Sequence, residues 1–422
     1  MTPDRSPIAL ATYSTKPRGG VVHTLFVAEA LAALGADVEV IALGRPGGGF
    51  YRDVTVPVRL FEAPAPTGTL EERVNASVDA LAVGLAGMGD AIAPVVHTQD
   101  CISARAACRV RDAGAPITVV RTVHHVDDFS TPALVTCQRQ AIAEPDRILV
   151  VSATWQRILA DDYGVDAHIV PNGVDVNLFS AVPAPATIAG LRAKVGATDR
   201  FLFLAVGGVE PRKGSDHLVR ALGLVKAAGG RPVLAVVGGH SFQDHAAYRR
   251  RVLDSLPALG LGLGDDVVVV GTVDNDELRA WYHAADAFTF PSVNEGWGLA
   301  VLEAMAAGLA VVTSDLPVFR EYLSADSDAL LVRPGDDDAL AAALSALMTD
   351  AGLRARLAVA GRSVAARYGW EASARCHLDI YRSLSGGFTE GGGRATRPWP
   401  ATRWGCATDA GGPSASAASR PR

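Results

Sequence analysis

Two glutamates with seven residues between them, Glu295 and Glu303, enclose the start of a predicted helix. The apolar run 288–290 predicts a short buried strand, which ends at a proline that cannot continue a hydrogen-bonded ladder. Residues 299–307 favour a helix because they are rich in Ala, Leu, Met and Glu, and Gly308 closes it. The segment therefore predicts a strand, a glycine-rich loop and a helix, with one carboxylate in the loop and one on the helix.

The start of this helix predicts an anion site. The N–H groups of Gly298, Leu299 and Ala300 lack intrahelical acceptors and lie at the positive end of the helix dipole, an arrangement that favours a phosphate. Glu303 lies about 7 Å further along the helix, and its side chain leans back toward a ribose attached to that phosphate. Glu295 is expected to contact a second hydroxylated group. The alternative is that both glutamates are ordinary solvated carboxylates.

A pair of cations, Arg212 and Lys213, follows another predicted strand, residues 201–206. They lie in the loop 207–214, which has glycines at both ends, and Ser215 is predicted to cap the next helix. Two fixed cations at a strand end can neutralise the charge that grows on a departing nucleoside diphosphate, a duty that a metal ion serves in other enzymes. The alternative is a solvated charge pair.

The first half of the chain opens with a βαβ pattern, which predicts a parallel sheet. Its elements are a strand at 8–12, a helix at 21–34 and a strand at 37–43. Gly19 and Gly20 precede the helix, at the strand end where ligands bind in such sheets. They would let the backbone approach a ligand closely, although a Gly-Gly pair is also common in simple turns.

Histidines follow two further predicted strands. His124 comes directly after the strand 117–123, where a histidine can hydrogen-bond a sugar hydroxyl or stabilise developing charge. The alternative is a structural histidine. His97 and Asp100 also lie at a strand end and are expected to contact an acceptor.

The run from Glu295 to Glu303, EGWGLAVLE, resembles the E-x7-E motif of retaining glycosyltransferases of family 4, which have the GT-B fold. The resemblance implies an α/β protein with two Rossmann-like parallel-sheet domains that face each other across a cleft, and a C-terminal helix that crosses back to the first domain. The expected divisions are an acceptor-side domain at 8–175, a nucleotide-sugar-binding domain at 176–367, the returning helix at 368–384 and a disordered tail at 385–422.

The resemblance also implies a role for individual residues. Glu295, His124, Lys213 and Arg212 are the expected catalytic residues, although Arg212 stands next to the lysine, whereas the family pattern places the arginine several residues earlier. Donor contacts are expected from two glycine-bearing loops, from the two cations, from the backbone near the nucleobase and from the E-x7-E segment. These residues are Gly19, Gly20, Gly208, Arg212, Lys213, Val273, Glu295, Gly296, Gly298, Leu299, Ala300 and Glu303.

Composition excludes several other classes of protein. The 422 residues carry a net charge of −6, which gives no electrostatic case for nucleic-acid binding. No secretory signal pattern is visible, and the apolar window 77–96 is predicted to be a buried helix. No CxxC or Cys/His cluster appears, and Asp127-Asp128 lacks DxD spacing, so no metal site is predicted and a reducing cytoplasm is expected.

The expected activity is retaining transfer of a hexose-type sugar to an acceptor hydroxyl, without a bound metal. The donor is expected to be a nucleotide sugar, UDP- or GDP-linked, and no further cofactor is expected. A glycan, a small molecule or a lipid-linked compound would supply the hydroxyl, and peripheral membrane contact stays open. The alternatives are a nucleotide-sugar epimerase or a phosphorylase on the same fold, or a non-catalytic nucleotide-sugar sensor.

Overall fold

The computed structural model describes residues 6–129, 131–239 and 245–385. Within these residues the first sheet has seven strands, all parallel, in the order β3-β2-β1-β4-β5-β6-β7. The strands are β1 Ile8–Thr12, β2 Val38–Gly44, β3 Val58–Glu62, β4 Val95–Thr98, β5 Thr118–Val123, β6 Arg147–Val150 and β7 Ala167–Ile169.

Helices connect the strands of the first sheet and cover its faces. They are α1 Gly19–Ala33, α2 Leu70–Ala86, α3 Cys101–Asp112, α4 Pro132–Ala143 and α5 Ala153–Tyr163. The strands are apolar and mostly buried, as expected for a parallel sheet that has helices on both faces. Two helices, α6 Val176–Ser180 and α7 Pro185–Lys194, then lead to the second sheet.

The second sheet has six described strands, again all parallel, in the order β10-β9-β8-β11-β12-β13. The strands are β8 Phe201–Val206, β9 Pro232–Val237, β10 Val267–Gly271, β11 Ala287–Phe290, β12 Val311–Ser314 and β13 Leu330–Val332. The helices around it are α8 Ser215–Ala227, α9 Ala246–Asp254, α10 Asn275–Ala284, α11 Leu299–Ala307, α12 Asp337–Thr349 and α13 Ala351–Ala365. The predicted α/β architecture with two parallel sheets is confirmed.

The last described helix, α14 Trp370–Ser385, returns to the first sheet and packs on α1. The Trp370 ring stacks on Phe26, with 5.4 Å between ring centroids. Tyr381 is hydrogen-bonded to His97 through its hydroxyl, 2.6 Å from Nδ1. The predicted return of the final helix is therefore confirmed, while the residues of the predicted tail beyond Ser385 lie outside the described part.

Three local predictions were wrong. Gly19 and Gly20 do not precede the first helix, because they are the first two residues of α1, which Arg18 caps. Ser215 is the first residue of α8 and does not cap it; its hydroxyl bonds instead to the backbone of Glu210. The window 77–96 is not one helix, because α2 ends at Ala86 and the chain turns at Gly87 and Gly89 before β4 begins. Glycines end helices readily, and this pair outweighed the apolar composition of the window.

Candidate active site

A cleft of about 1300 Å³ separates the carboxyl ends of the two sheets. Loops that follow β1, β4 and β5 line one side, and loops that follow β8, β9 and β11 line the other. This is where parallel α/β sheets bind ligands. Every residue predicted to be catalytic or to bind the donor lines this cleft: Gly19, Gly20, His124, Gly208, Arg212, Lys213, Val273, Glu295, Gly296, Gly298, Leu299, Ala300 and Glu303.

The centre of the second-sheet side is a buried cluster of charges. Glu295 Oε1 accepts hydrogen bonds from Lys213 Nζ at 2.6 Å, from Arg212 Nη1 at 2.8 Å and from Ser292 Oγ at 3.1 Å. Lys213 Nζ also lies 4.2 Å from the centroid of the Phe290 ring. The sequence predicted that Glu295 contacts a hydroxylated group of the ligand. The structure shows in addition that Glu295 forms ion pairs with both predicted cations.

This pairing fixes the charges of the cluster. Burial alone would raise the pKa of Glu295, but Arg212 and Lys213 hold that pKa at about 2, so the carboxyl group is ionised. Burial lowers the pKa of Lys213 to about 8, although Glu295 opposes the change. At pH 7 two cations therefore face the Glu295 carboxylate, an excess of one positive charge among these three side chains.

The first turn of α11 lies beside this cluster. Gly298 caps the helix with φ at +88°, a conformation that favours glycine, and Val301 donates the first backbone bond, to the Gly298 carbonyl. The N–H groups of Leu299 and Ala300 precede that bond and line the cleft. This arrangement fits the predicted anion site.

Glu303 is buried on α11, contrary to the alternative of a solvated helix residue. Tyr282 donates its hydroxyl hydrogen to Glu303 Oε2 at 2.7 Å. Burial raises the pKa of Glu303 to about 7, so its charge changes near neutral pH. The sequence analysis did not identify Tyr282, although a tyrosine on the preceding helix was a visible candidate partner.

On the first-sheet side His124 lies at the end of β5. Its Nε2 is 3.1 Å from Gln99 Oε1, and its ring meets the edge of the His23 ring at a centroid distance of 4.7 Å. Burial holds the pKa of His124 well below its usual range, so the imidazole is neutral at pH 7. His97, predicted to contact an acceptor, is fully buried and bonded to Thr122 and Tyr381, so that prediction was wrong.

The two sides of the cleft are in direct contact at several places. Gly296 approaches the backbone of His124 so closely that an added Cβ would lie 2.0 Å from the His124 carbonyl oxygen. Trp155 Nε1 donates to the Glu295 carbonyl at 3.0 Å. Glu321 adds a second link, because its carboxylate accepts the N–H groups of Ala153 and Thr154, both at 2.8 Å.

We expect Gly296→Ala to lower the rate of catalysis at least ~10-fold, because the methyl group displaces His124 relative to the charge cluster. Gly190→Ala on α7 is the matched control, since no atom lies within 4 Å of its added Cβ. Steady-state rates measured with both variants test this expectation. Equal rates for wild type and Gly296→Ala would show that the contact is not needed for catalysis.

Two further searches concern the described residues only. They contain no group of three or more His, Cys, Asp or Glu side chains that could hold a metal ion. They also contain no helix with the length and apolar character needed to span a membrane.

Two facing Rossmann-like parallel sheets with a cleft between their carboxyl ends are the architecture of the GT-B fold. The family model described as "Glycosyl transferases group 1" matches residues 189–364, and the model "Glycosyltransferase Family 4" matches residues 17–178. A D-inositol 3-phosphate glycosyltransferase from Xylanimonas cellulosilytica is 32% identical over 87% of this chain and 92% of its own length. The chain belongs to this family of group 1 glycosyltransferases.

Other relatives agree with this assignment. A phosphatidyl-myo-inositol mannosyltransferase from Mycobacterium leprae is 30% identical over 89% of this chain and 96% of its own length. Sucrose-phosphate synthase from Thermosynechococcus elongatus is 25% identical with a TM-score of 0.74, covering 90% of this chain and 100% of that structure. HepE from Anabaena, solved with UDP and glucose, shares the fold at 19% identity with a TM-score of 0.70, over 90% of this chain and 100% of its own. The protein is an enzyme, a glycosyltransferase that uses a nucleotide-sugar donor.

Proposed function

We propose that this enzyme transfers a hexose from a UDP- or GDP-linked donor to an acceptor hydroxyl, with retention of anomeric configuration and without a bound metal. The observation that carries the proposal is the cluster of Lys213 and Arg212 around the buried Glu295, beside the start of α11. Two cations and the first amide groups of this helix lie together on one part of the cleft.

The leaving group is the negatively charged partner of this cluster. Lys213 and Arg212 are proposed to bind the diphosphate, together with the first amides of α11. Each charge-assisted hydrogen bond contributes about 1.5–3 kcal/mol, and the charge of the diphosphate grows as the sugar departs, so these bonds favour the transition state. Glu295 holds both cations in place through Oε1 and is proposed to contact the sugar with the rest of its carboxylate.

The remaining donor contacts follow from position. Glu303 is proposed to bind the ribose hydroxyls, and the backbone at Val273 to bind the nucleobase. Gly20 and Gly208 line opposite sides of the cleft, where the backbone lies open to the donor. The domain divisions at 175/176 and 367/368 stay part of this proposal.

His124 lies on the opposite side and is proposed to orient the transferred sugar. A neutral imidazole can donate or accept a hydrogen bond to a sugar hydroxyl. Retention is proposed to follow from attack on the same face that the diphosphate leaves, with a phosphate oxygen taking the proton of the acceptor hydroxyl. Two of the relatives are named for inositol-containing acceptors, so an inositol phosphate is the first acceptor to test.

The test is a product assay over UDP-, GDP- and ADP-sugars, each with inositol 3-phosphate, glucuronate, glucose or no acceptor. We expect acceptor-dependent release of one nucleoside diphosphate, an unchanged rate in EDTA and a product of retained configuration by NMR. An inverted product or loss of rate in EDTA would contradict those parts of the proposal.

The alternatives give different products in the same assay. An epimerase would isomerise the donor without an acceptor, and a phosphorylase would require inorganic phosphate. A sensor would bind the donor and release no nucleoside diphosphate with any acceptor. Any of these outcomes would replace the proposed reaction.

A further inference from the structure

The first-sheet wall of the cleft contains a surface that the proposed donor site does not use. Beyond His124 the lining continues onto α3, α4 and the end of β5. Much of it is apolar, and we call it the apolar wall, defined by Ile102, Phe129, Leu134 and Cys137. One cation, Arg121, lies at this wall.

Arg121 is buried, with 6% of its surface exposed, and it lines the cleft from β5. Its Nη1 donates to the Thr122 carbonyl at 2.6 Å. Its Nε is buried and has no hydrogen-bond partner among the described residues. A buried donor on a charged group costs free energy when it is left unpaired, so this nitrogen is a strong candidate for a ligand contact.

The nearby carboxylates do not bond to this guanidinium. Asp100 accepts the Thr12 hydroxyl at 3.0 Å and the N–H groups of Tyr13 and Ser103 at 2.9 and 2.7 Å. Asp100 therefore has neutral donors of its own and acts on Arg121 only through space. Asp127 likewise acts on Arg121 through space.

We propose that Arg121 binds an anionic group of the acceptor, a carboxylate or a phosphate, while the apolar wall contacts the rest of the molecule. The inference rests on the proposed function, in which the acceptor binds the first-sheet side. Arg121 lies on β5, and His124 directly follows that strand, whereas Arg212 and Lys213, proposed to bind the donor diphosphate, come from a second-sheet loop. Guanidinium groups suit planar and tetrahedral oxyanions because they present several fixed donors.

The first test compares acceptors that differ by one anionic group. Arg121→Met should raise the KM for inositol 3-phosphate and for glucuronate at least ~10-fold, because it removes a charge-assisted hydrogen bond. The KM for the neutral acceptors myo-inositol and glucose should stay within about two-fold of the wild-type value, because they have no anionic group for Arg121 to bind. The kcat for each acceptor should also stay within about two-fold, because no donor contact is lost. Equal effects on charged and neutral acceptors would overturn the proposal.

Two variants control for charge and folding. Arg147→Met removes an exposed arginine at the start of the neighbouring strand β6, next to Arg121 in register but outside the cleft lining, and it should leave every KM unchanged. Arg121→Lys keeps the buried charge without the guanidinium and should recover only part of the affinity. Stabilisation by UDP or GDP in a thermal melt, equal to that of wild type, shows that each variant is folded.

A binding measurement separates this inference from the proposed reaction. Inorganic phosphate and glucuronate are titrated calorimetrically into protein saturated with UDP or GDP. Wild type and Arg147→Met should bind at least one of the two anions, and Arg121→Met should bind it at least ~10-fold more weakly. Unchanged binding in Arg121→Met, or no binding to wild type, would overturn the subsite. Failure of the proposed reaction would appear instead as no acceptor-dependent release of nucleoside diphosphate by wild type.

Discussion

Replacing Lys213 by alanine should lower the rate of sugar transfer by about 10²–10³-fold, the usual effect of removing one buried donor that meets developing charge. Lys213 Nζ lies in the cleft, 2.6 Å from Glu295 Oε1, and the side chain is 17% exposed. Its loss leaves a buried carboxylate with Arg212 as its remaining cation. The leaving diphosphate then meets a cluster whose net charge is zero.

The matched control is Lys194→Ala, which breaks an exposed lysine–glutamate pair in the same half of the chain. Lys194 Nζ lies 3.1 Å from Glu277 Oε1, and its side chain is 58% exposed. Exposed pairs of this kind contribute about 0–1 kcal/mol, so the rate should change less than two-fold. Transfer by Lys213→Ala within about five-fold of wild type would show that another group neutralises the leaving charge.

The ionisation of Lys213 adds a pH test of the same idea. Because burial lowers the pKa of Lys213 to about 8, the free enzyme loses this cation as pH rises through that value. The kcat/KM of wild type should therefore fall above about pH 8, since this ratio reports the ionisation of the free enzyme. The residual activity of Lys213→Ala should lack this fall.

The sequence predicted the local units of this site well. The alternation of apolar runs with helical segments predicted the strands β1, β8 and β11, and the composition of 299–307 predicted α11 with its bounds. Local patterns suffice for such elements because a strand or a helix start depends on neighbouring residues.

The pairing of side chains was not predictable in the same way. Lys213 and Glu295 are separated by 82 residues, and His97 and Tyr381 by 284. Such contacts depend on how the elements pack, which periodicity does not encode. The sequence analysis therefore identified the cations and the carboxylate but not the bond between them, and it assigned a buried histidine to the acceptor.

Arg121 was missed for a different reason, although a signal was present. It interrupts an apolar run in which Val119, Val120 and Val123 are buried. A charged residue within a predicted central strand must have a partner or a ligand, because an unpaired buried charge is costly. Ligand contacts in a parallel sheet are expected mainly after the strand ends, so a charge within β5 was missed.

Replacing Glu303 by glutamine should stabilise the protein at pH 8 by about 3 kcal/mol relative to wild type, with almost no effect near pH 4.5. Burial raises the pKa of Glu303 from 4.5 to about 7, so the folded state holds a proton that the unfolded state releases between these values. The stability of wild type therefore falls as pH rises through this window and levels off above pH 7. Glutamine does not ionise, and its carbonyl oxygen can still accept the Tyr282 hydroxyl.

Denaturation midpoints in urea at pH 5 and pH 8 measure this difference. Glu371→Gln is the matched control, because the Glu371 side chain is 68% exposed and its removal should shift the midpoint equally at both pH values. If the stability difference between Glu303→Gln and wild type is the same at pH 8 as at pH 5, then burial does not destabilise the ionised form of Glu303.

The same ionisation should act in the opposite direction on donor binding. Ribose hydroxyls donate hydrogen bonds, and an ionised carboxylate accepts them more strongly than a neutral acid does. Wild type should therefore bind its nucleotide sugar, which has no terminal phosphate that ionises in this range, more tightly at pH 7.5 than at pH 6, while Glu303→Gln should bind about 10-fold more weakly at pH 7.5 and show no such rise. Titration calorimetry at both pH values tests this. If the affinity of Glu303→Gln rises with pH as much as that of wild type, the titrating group is not Glu303. If the affinity of the variant does not rise, the ionised Glu303 that destabilises the free protein is the group that strengthens donor binding.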